Sequence, residues 1–158
     1  TVVDVRRFPG SRRHPQFGGE ALAASLAAEG IGYQWVAALG GRRKPDFDDP
    51  EGNAWRHPSF RAYAQYLRSE EFADGLALLQ HVASATRTAV MCSELLWWRC
   101  HRRLIADAMV VEGWEVVHVL GPQACSVHRL GPPACLGPEG LTYVEDGRAG
   151  EEECCRDC

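Results

Sequence analysis

Thirteen consecutive residues, Met91-Cys92-Ser93-Glu94-Leu95-Leu96-Trp97-Trp98-Arg99-Cys100-His101-Arg102-Arg103, gather two thiols, a carboxylate, an imidazole and three guanidiniums. That mixture suits nucleophilic thiol chemistry. The thiolate is the reactive form, and nearby cations or a helix N-terminus favour it. Cys92 closes an apolar run, Thr88–Met91, and is the candidate nucleophile; Cys100 is a resolving or structural thiol. His101 or Glu94 can manage protons, and Arg99 and Arg102 can hold an anion. Each residue also has a plainer reading. A cysteine at a strand end is commonly a small buried hydrophobe, and the histidine and tryptophans can simply cap or cover. The density of reactive groups in one strand–loop–helix unit favours the functional reading.

The remaining cations are also clustered. Sixteen of the 17 are arginines, and they group as Arg6-Arg7, Arg12-Arg13 and Arg42-Arg43-Lys44, besides Arg99 and Arg102-Arg103. Arginine grips carboxylate and phosphate bidentately. The formal net charge is −4, but residues 1–110 carry 14 cations against 12 anions, and residues 111–158 carry 3 against 9. The acidity belongs to the C-terminal part. The overall negative charge argues against broad binding to duplex nucleic acid, which phosphate neutralisation drives.

The elements that must position these groups alternate. An apolar run at 2–5 reads as a strand, followed by a turn-rich loop over 6–19 and a helix over 20–29 stopped by Gly30. A second strand lies in 31–39, and helices follow over 59–68 and 70–83, the latter capped by Ser69. A third strand at 88–91, a helix over 97–112 and a fourth strand at 115–120 complete the series. Strands separated by helices imply a mainly parallel α/β sheet, Rossmann-like or rhodanese-like, flanked by helices. Ligands in such sheets sit at the carboxyl ends of strands, where three of the arginine clusters fall.

With 158 residues, 46% hydrophobic and 24% charged, the chain suits one α/β domain at 1–120. Residues 121–158, with several Gly-Pro pairs and an acidic end, read as an irregular tail with at most a short strand at 141–144. No apolar run reaches the ~18–20 residues of a membrane span. No secretory signal is visible, so the seven cysteines are expected to be free thiols in a reducing cytoplasm. The start at Thr1, directly before an apolar run, reads as a fragment or processed product. In the tail, Cys125-x-x-His128 and Cys155-x-x-Cys158 have the short spacings of zinc knuckles, separated by 26 residues. A tail whose thiols hold no metal is the competing expectation, because the halves are far apart and apolar support is thin. No other cofactor is expected. Nucleotide-binding glycine fingerprints, a P-loop and a serine elbow are all absent from the sequence.

Asp4-Val5-Arg6, Pro9, Gln16-Phe17, Leu39-Gly40-Gly41-Arg42, Trp55-Arg56, Ser59-Phe60, Tyr63, Tyr66-Leu67 and, above all, Cys92-x-Glu94 with Cys100-His101-Arg102 resemble the bacterial domain of unknown function 488 over roughly residues 1–120. The motif positions are Asp4, Arg6, Arg42, Cys92, Glu94, Cys100, His101 and Arg102, which the resemblance implies as site residues. Members usually begin with a further strand and helix bearing a Thr-Ile-Gly-His-Ser-like segment, which this sequence lacks. A more distant resemblance links Val3-Asp4-Val5-Arg6, and Ala89-Val90-Met91-Cys92 with Gly113, to rhodanese-like domains. The loop after Cys92 departs from theirs in being longer and lacking a glycine.

Two functions compete. One is a cysteine-centred enzyme acting on a phosphate- or nucleotide-like anion, with Cys92 as nucleophile and Arg6, Arg42 and Arg102 holding the substrate. The other is a non-covalent nucleotide or nucleic-acid binding domain, with arginine loops for phosphates and Trp35, Trp55, Trp97 or Trp98 for base stacking. No membrane partner is expected.

Overall fold

Val2 and Val3 are β-branched and flank the position from which the chain enters its most buried stretch: Val3, Asp4 and Val5 are all fully shielded from solvent. The computed structural model describes residues 1–138 and 140–144. In chain order its elements are β1 (Val2–Asp4), α1 (Gly19–Ala28), β2 (Tyr33–Trp35), α2 (Pro58–Tyr66), α3 (Glu70–Ala85), β3 (Ala89–Met91), α4 (Arg102–Val111), β4 (Val117–Gly121), β5 (Ala124–Val127), β6 (Cys135–Gly137) and β7 (Gly140–Thr142). Short 3-10 turns occupy Pro15–Phe17, Ala37–Leu39 and Trp97–Arg99. The fold is mixed α/β. No described helix is long and apolar enough to cross a membrane.

The described residues form two compact units, one from residues 1–42 and 68–102, the other from 43–67 and the described residues from 103 onward. The first holds the parallel sheet. Its order is β2-β1-β3, with Asp4 in register with Trp35 on one side and Met91 on the other. The central strand thus delivers its carboxyl end beside that of β3. Helix α1 ends at Gly30, whose φ of +70° admits the closing bonds Gly30 N–H to Ala27 O (3.0 Å) and Ile31 N–H to Leu26 O (2.9 Å). Helix α3 starts where expected: the Ser69 hydroxyl accepts from Phe72 N–H at 3.2 Å, and Glu70 and Glu71 sit in its positive first turn.

The second unit holds α2, most of α4 and two hairpins. Leu104, Ile105, Ala108 and Met109 of α4 are buried, as is Tyr143. Trp55 stacks on Phe60 with centroids 4.7 Å apart, and the Arg103 guanidinium lies 4.7 Å from the Trp55 ring centre.

Three expectations need correction. The strand expected at 115–120 does not extend the parallel sheet, because β4 pairs antiparallel with β5 in a separate two-stranded ribbon. The described part of the tail is not irregular: β6 and β7 form a second antiparallel hairpin, with Gly140 at φ +103° at the turn. The Gly-Pro pairs that suggested disorder therefore punctuate hairpins. Finally, the helix expected from 97 breaks into the 3-10 turn Trp97–Arg99 and α4, and Cys100 sits in the break, extended and buried.

Candidate functional site

The site is built at the carboxyl end of the parallel sheet, within the first unit. Cys92 follows β3 directly and is half-buried. The break before α4 turns Cys100 and His101 back toward it. The Cys92 sulfur, the Cys100 sulfur and a ring nitrogen of His101 all lie within 4.8 Å of one another. His101 is held at both ends: Nε2 faces the Val5 carbonyl oxygen at 3.1 Å, and Nδ1 lies 3.6 Å from the Cys100 sulfur. A carbonyl only accepts, so Nε2 carries a proton, and Nδ1 is the nitrogen that exchanges one. Gly41 makes room for this ring, since a Cβ there would sit 2.9 Å from His101 Nδ1. Gly41, of the Leu39-Gly40-Gly41-Arg42 motif, thus admits the imidazole.

The Cys92 thiol is lowered from its ordinary 9.0 to about 5. The largest cause is a hydrogen bond donated by the Cys100 thiol. Burial opposes it, and the Glu94 backbone N–H, the His101 charge and the Ser93 hydroxyl add to it. The Cys100 thiol moves up for the mirror-image reason, the neighbouring Cys92 sulfur first and burial second.

The arginines divide by role. The Arg6 guanidinium grips Asp4, which is fully buried: Nε donates at 2.9 and 3.0 Å and Nη2 at 2.5 Å. Arg6 Nη1 donates to Phe17 O at 2.8 Å, and Tyr33 Oη donates to Asp4 at 2.7 Å. Burial would raise the Asp4 carboxyl, but the bonds from Arg6 and Tyr33 outweigh it and hold the carboxyl below its usual value. Burial, then Asp4, pushes the Tyr33 phenol up to about 12. Asp4 therefore orients Arg6 and does not itself face the cleft. Arg102 Nη2 donates to the carbonyl oxygens of Glu94 and Leu95, fixing the loop whose Glu94 amide faces Cys92. Glu94 folds its carboxylate back onto Leu96 N–H at 3.3 Å. Arg99 is exposed on its 3-10 turn and does not line the cleft.

A cleft of about 500 Å³ opens over Cys92, lined by Arg6, Phe8, His14, Phe17, Arg42 and Cys92 among others. Arg42 is exposed and has no hydrogen-bond or ion-pair partner among the described residues. Its φ of +62° is the only left-handed one among described residues other than glycine. Such conformations cost energy and concentrate at functional sites. His14 and Phe8 are not singled out from sequence, and Phe17 enters there only through the Gln16-Phe17 motif. Two of them carry exposed aromatic surface, Phe8 at 68% and Phe17 at 52%. None of the tryptophans lines the cleft.

The sequence of the family described as domain of unknown function DUF488 matches residues 1–109. The chain belongs to that family. The DUF488 match spans Asp4, Arg6, Arg42 and the whole Cys92–Arg102 segment, so the cluster lies inside the family region. No curated protein and no solved structure matches the chain. The rhodanese-like likeness is accordingly not shown.

Zinc in the tail, weighed from sequence against a tail that holds no metal, is not supported by the described residues. Cys125 is exposed on β5, whereas His128 is buried with both ring nitrogens engaged, Nε2 on Asp107 at 2.8 Å and Nδ1 on His118 at 2.8 Å. Cys155 and Cys158 lie outside the described residues. Cys135 is disulfide-bonded, contrary to the expectation that every thiol is free. A donor set that suits a metal occurs elsewhere, in Cys92, Cys100 and His101, of the two-thiol, one-imidazole kind.

Sequence reasoning missed one buried network in the second unit. Asp107 accepts from Tyr143 Oη at 2.7 Å as well as from His128, and Glu51 accepts the Tyr143 backbone N–H at 2.8 Å. Its members are up to 92 residues apart, and no local pattern joins them.

Proposed function

We propose that the chain is a cysteine-centred enzyme in which the Cys92 thiolate attacks a small anionic substrate bound in the cleft. The observation that carries this is the placing of Cys92 on the cleft wall with Cys100 and His101 within 4.8 Å behind it. The hydrogen bond from Cys100 and the Glu94 amide stabilise the thiolate, while Arg42 supplies an accessible cation and Arg6 a fixed one. His101 is the proton carrier, through Nδ1. Asp4, Tyr33 and Arg102 are positioning residues. They hold Arg6 and the 93–96 loop without touching the reacting atoms.

A comparison of two alkylating agents tests this reading. Iodoacetate and iodoacetamide differ in charge and share a reaction. One guanidinium about 4 Å from a carboxylate in water is worth about 1 kcal/mol, roughly fivefold in rate. Cys92 should therefore favour iodoacetate over iodoacetamide by about that factor relative to free cysteine, and Arg42→Gln should remove the preference. A Cys92 that reacts only after unfolding, or that prefers the neutral reagent, ends the proposal.

The exposed rings of Phe8 and Phe17 beside two arginines favour a second reading, non-covalent binding of a nucleotide. Salt-sensitive binding of a nucleoside monophosphate that survives Cys92→Ser would support that reading.

A further inference from the structure

We propose that Cys92 and Cys100 form a redox pair that reduces a small, carboxylate-bearing disulfide and closes an intramolecular disulfide of its own. This rests on the reading of Cys92 as the cleft nucleophile and extends it to a substrate class. The two sulfurs lie within 4.8 Å. A disulfide bond is about 2.05 Å long, so they must approach by less than about 3 Å. Cys92 lies just past a strand and Cys100 occupies a break between two helical segments, so neither is locked inside a regular element. Only Cys92 faces the cleft, while Cys100 is 4% exposed and is shielded behind it. That asymmetry assigns the order of attack.

The steps balance as follows. The Cys92 thiolate attacks one sulfur of the substrate disulfide; the Cys92–substrate S–S bond forms, the substrate S–S bond breaks, and the first substrate thiolate leaves with the Nδ1 proton of the His101 imidazolium, whose ring is then neutral. Cys92 has then lost the charge that received the Cys100 hydrogen bond. The Cys100 thiol is then released from Cys92 and can turn its hydrogen toward the imidazole beside its sulfur. Its proton passes to His101 Nδ1, 3.6 Å away. The Cys100 thiolate attacks Cys92 Sγ, closing the Cys92–Cys100 bond and expelling the second substrate thiolate, which takes the proton from His101. The substrate disulfide gains two electrons and becomes two thiols, and the protein dithiol loses two. Arg42, which lines the cleft without a partner among the described residues, accounts for the preference for carboxylates.

The test uses the reduced full chain with oxidised glutathione, followed by peptide mapping under acid quench to separate Cys92 from the exposed Cys125. The wild-type chain should lose two hydrogens at Cys92 and Cys100, seen as a cross-linked Cys92–Cys100 peptide. Cys100→Ser and Cys100→Ala should both stop at glutathione attached to Cys92, and Cys92→Ser should leave Cys100 reduced. Reaction with oxidised glutathione should exceed that with the cationic disulfide cystamine by about fivefold or more. If the wild-type chain also stops at the mixed disulfide, Cys100 does not resolve and the redox pair is refuted, while Cys92 remains a nucleophile. If Cys92 is inert to both oxidised glutathione and iodoacetamide in the folded chain, this inference and the proposed function fail together. Protection of both thiols by bound zinc, relieved by a chelator, would also overturn the redox pair.

Discussion

The low titration of Cys92 has a consequence that a single rate at neutral pH would hide. Lowering a thiol from 9.0 to about 5 raises its thiolate fraction at pH 7 from about 1% to about 99%, roughly 100-fold. A less basic thiolate is also a weaker nucleophile. With a Brønsted slope of about 0.4–0.5, four units cost about 40- to 100-fold. The two effects nearly cancel at pH 7, where Cys92 should alkylate with iodoacetamide at about the rate of an ordinary thiol. At pH 5.5 they do not cancel: the thiolate fractions are about 76% and about 0.03%, so after the same correction Cys92 should react about 25- to 60-fold faster. The assay is the alkylation rate of the Cys92 peptide from about pH 4 to 10, with free cysteine as reference. The expected profile rises with a midpoint near 5 and is flat above pH 7. Cys100→Ala removes the largest stabilising bond and should move the midpoint up; Cys100→Ser keeps a hydroxyl donor and should move it less. A midpoint near ~8.5, that of a free thiol, would refute the electrostatic reasoning. So would a midpoint that Cys100→Ala leaves in place.

Other outcomes follow from the geometry. Asp4→Asn leaves the Arg6 guanidinium, 10% exposed, without its carboxylate and should cost about 3–5 kcal/mol, seen as a fall in the urea midpoint. Because folding lowers the Asp4 carboxyl, its stabilisation is complete above the unfolded value of ~3.9 and is lost as pH falls through the lower folded value, so wild-type and variant midpoints should converge in strong acid. Tyr143→Phe deletes the 2.7 Å bond to Asp107 and should cost about 1–3 kcal/mol in the same assay. Arg42→Gly relieves a left-handed backbone worth about 1 kcal/mol and should leave the melting temperature unchanged or higher while abolishing the iodoacetate preference. Gly41→Ala pushes a Cβ into His101 and should raise the Cys92 midpoint in alkylation without changing the cleft arginines.

Local signals in the sequence were read well where local physics decides. The valines of β1, the apolar run before Cys92, the Ser69 cap and the Gly30 stop each act within a few residues. The proximity of Cys92, Cys100 and His101 was legible because the three are close in sequence. Roles that depend on distant partners were not. Asp4 and Arg102 look like ligand-binding residues by type, yet Tyr33 and the 94–95 carbonyls, which occupy them, are reached only through the fold. The helix expected from 97 hid the break that exposes Cys100 to Cys92. One strand of each hairpin after 116 is legible in the sequence, at 115–120 and 141–144, but the partners β5 and β6 are not, because short strands rich in glycine and proline carry little apolar periodicity and their stability comes from pairing.

The bond between His101 and the Val5 carbonyl couples the reactive thiol to the assembly of the sheet. Val5 follows the central strand, and its own N–H donates to Met91 O at 2.9 Å across to β3. The imidazole beside Cys92 is therefore seated only once β1 has docked against β3 in the native register; a slip of one residue would present the other face of the strand. Acid-pH labelling of Cys92 thus serves as a clock for folding. Pulses of iodoacetamide during refolding would time the arrival of the central strand, read out at a sulfur that belongs to its neighbour.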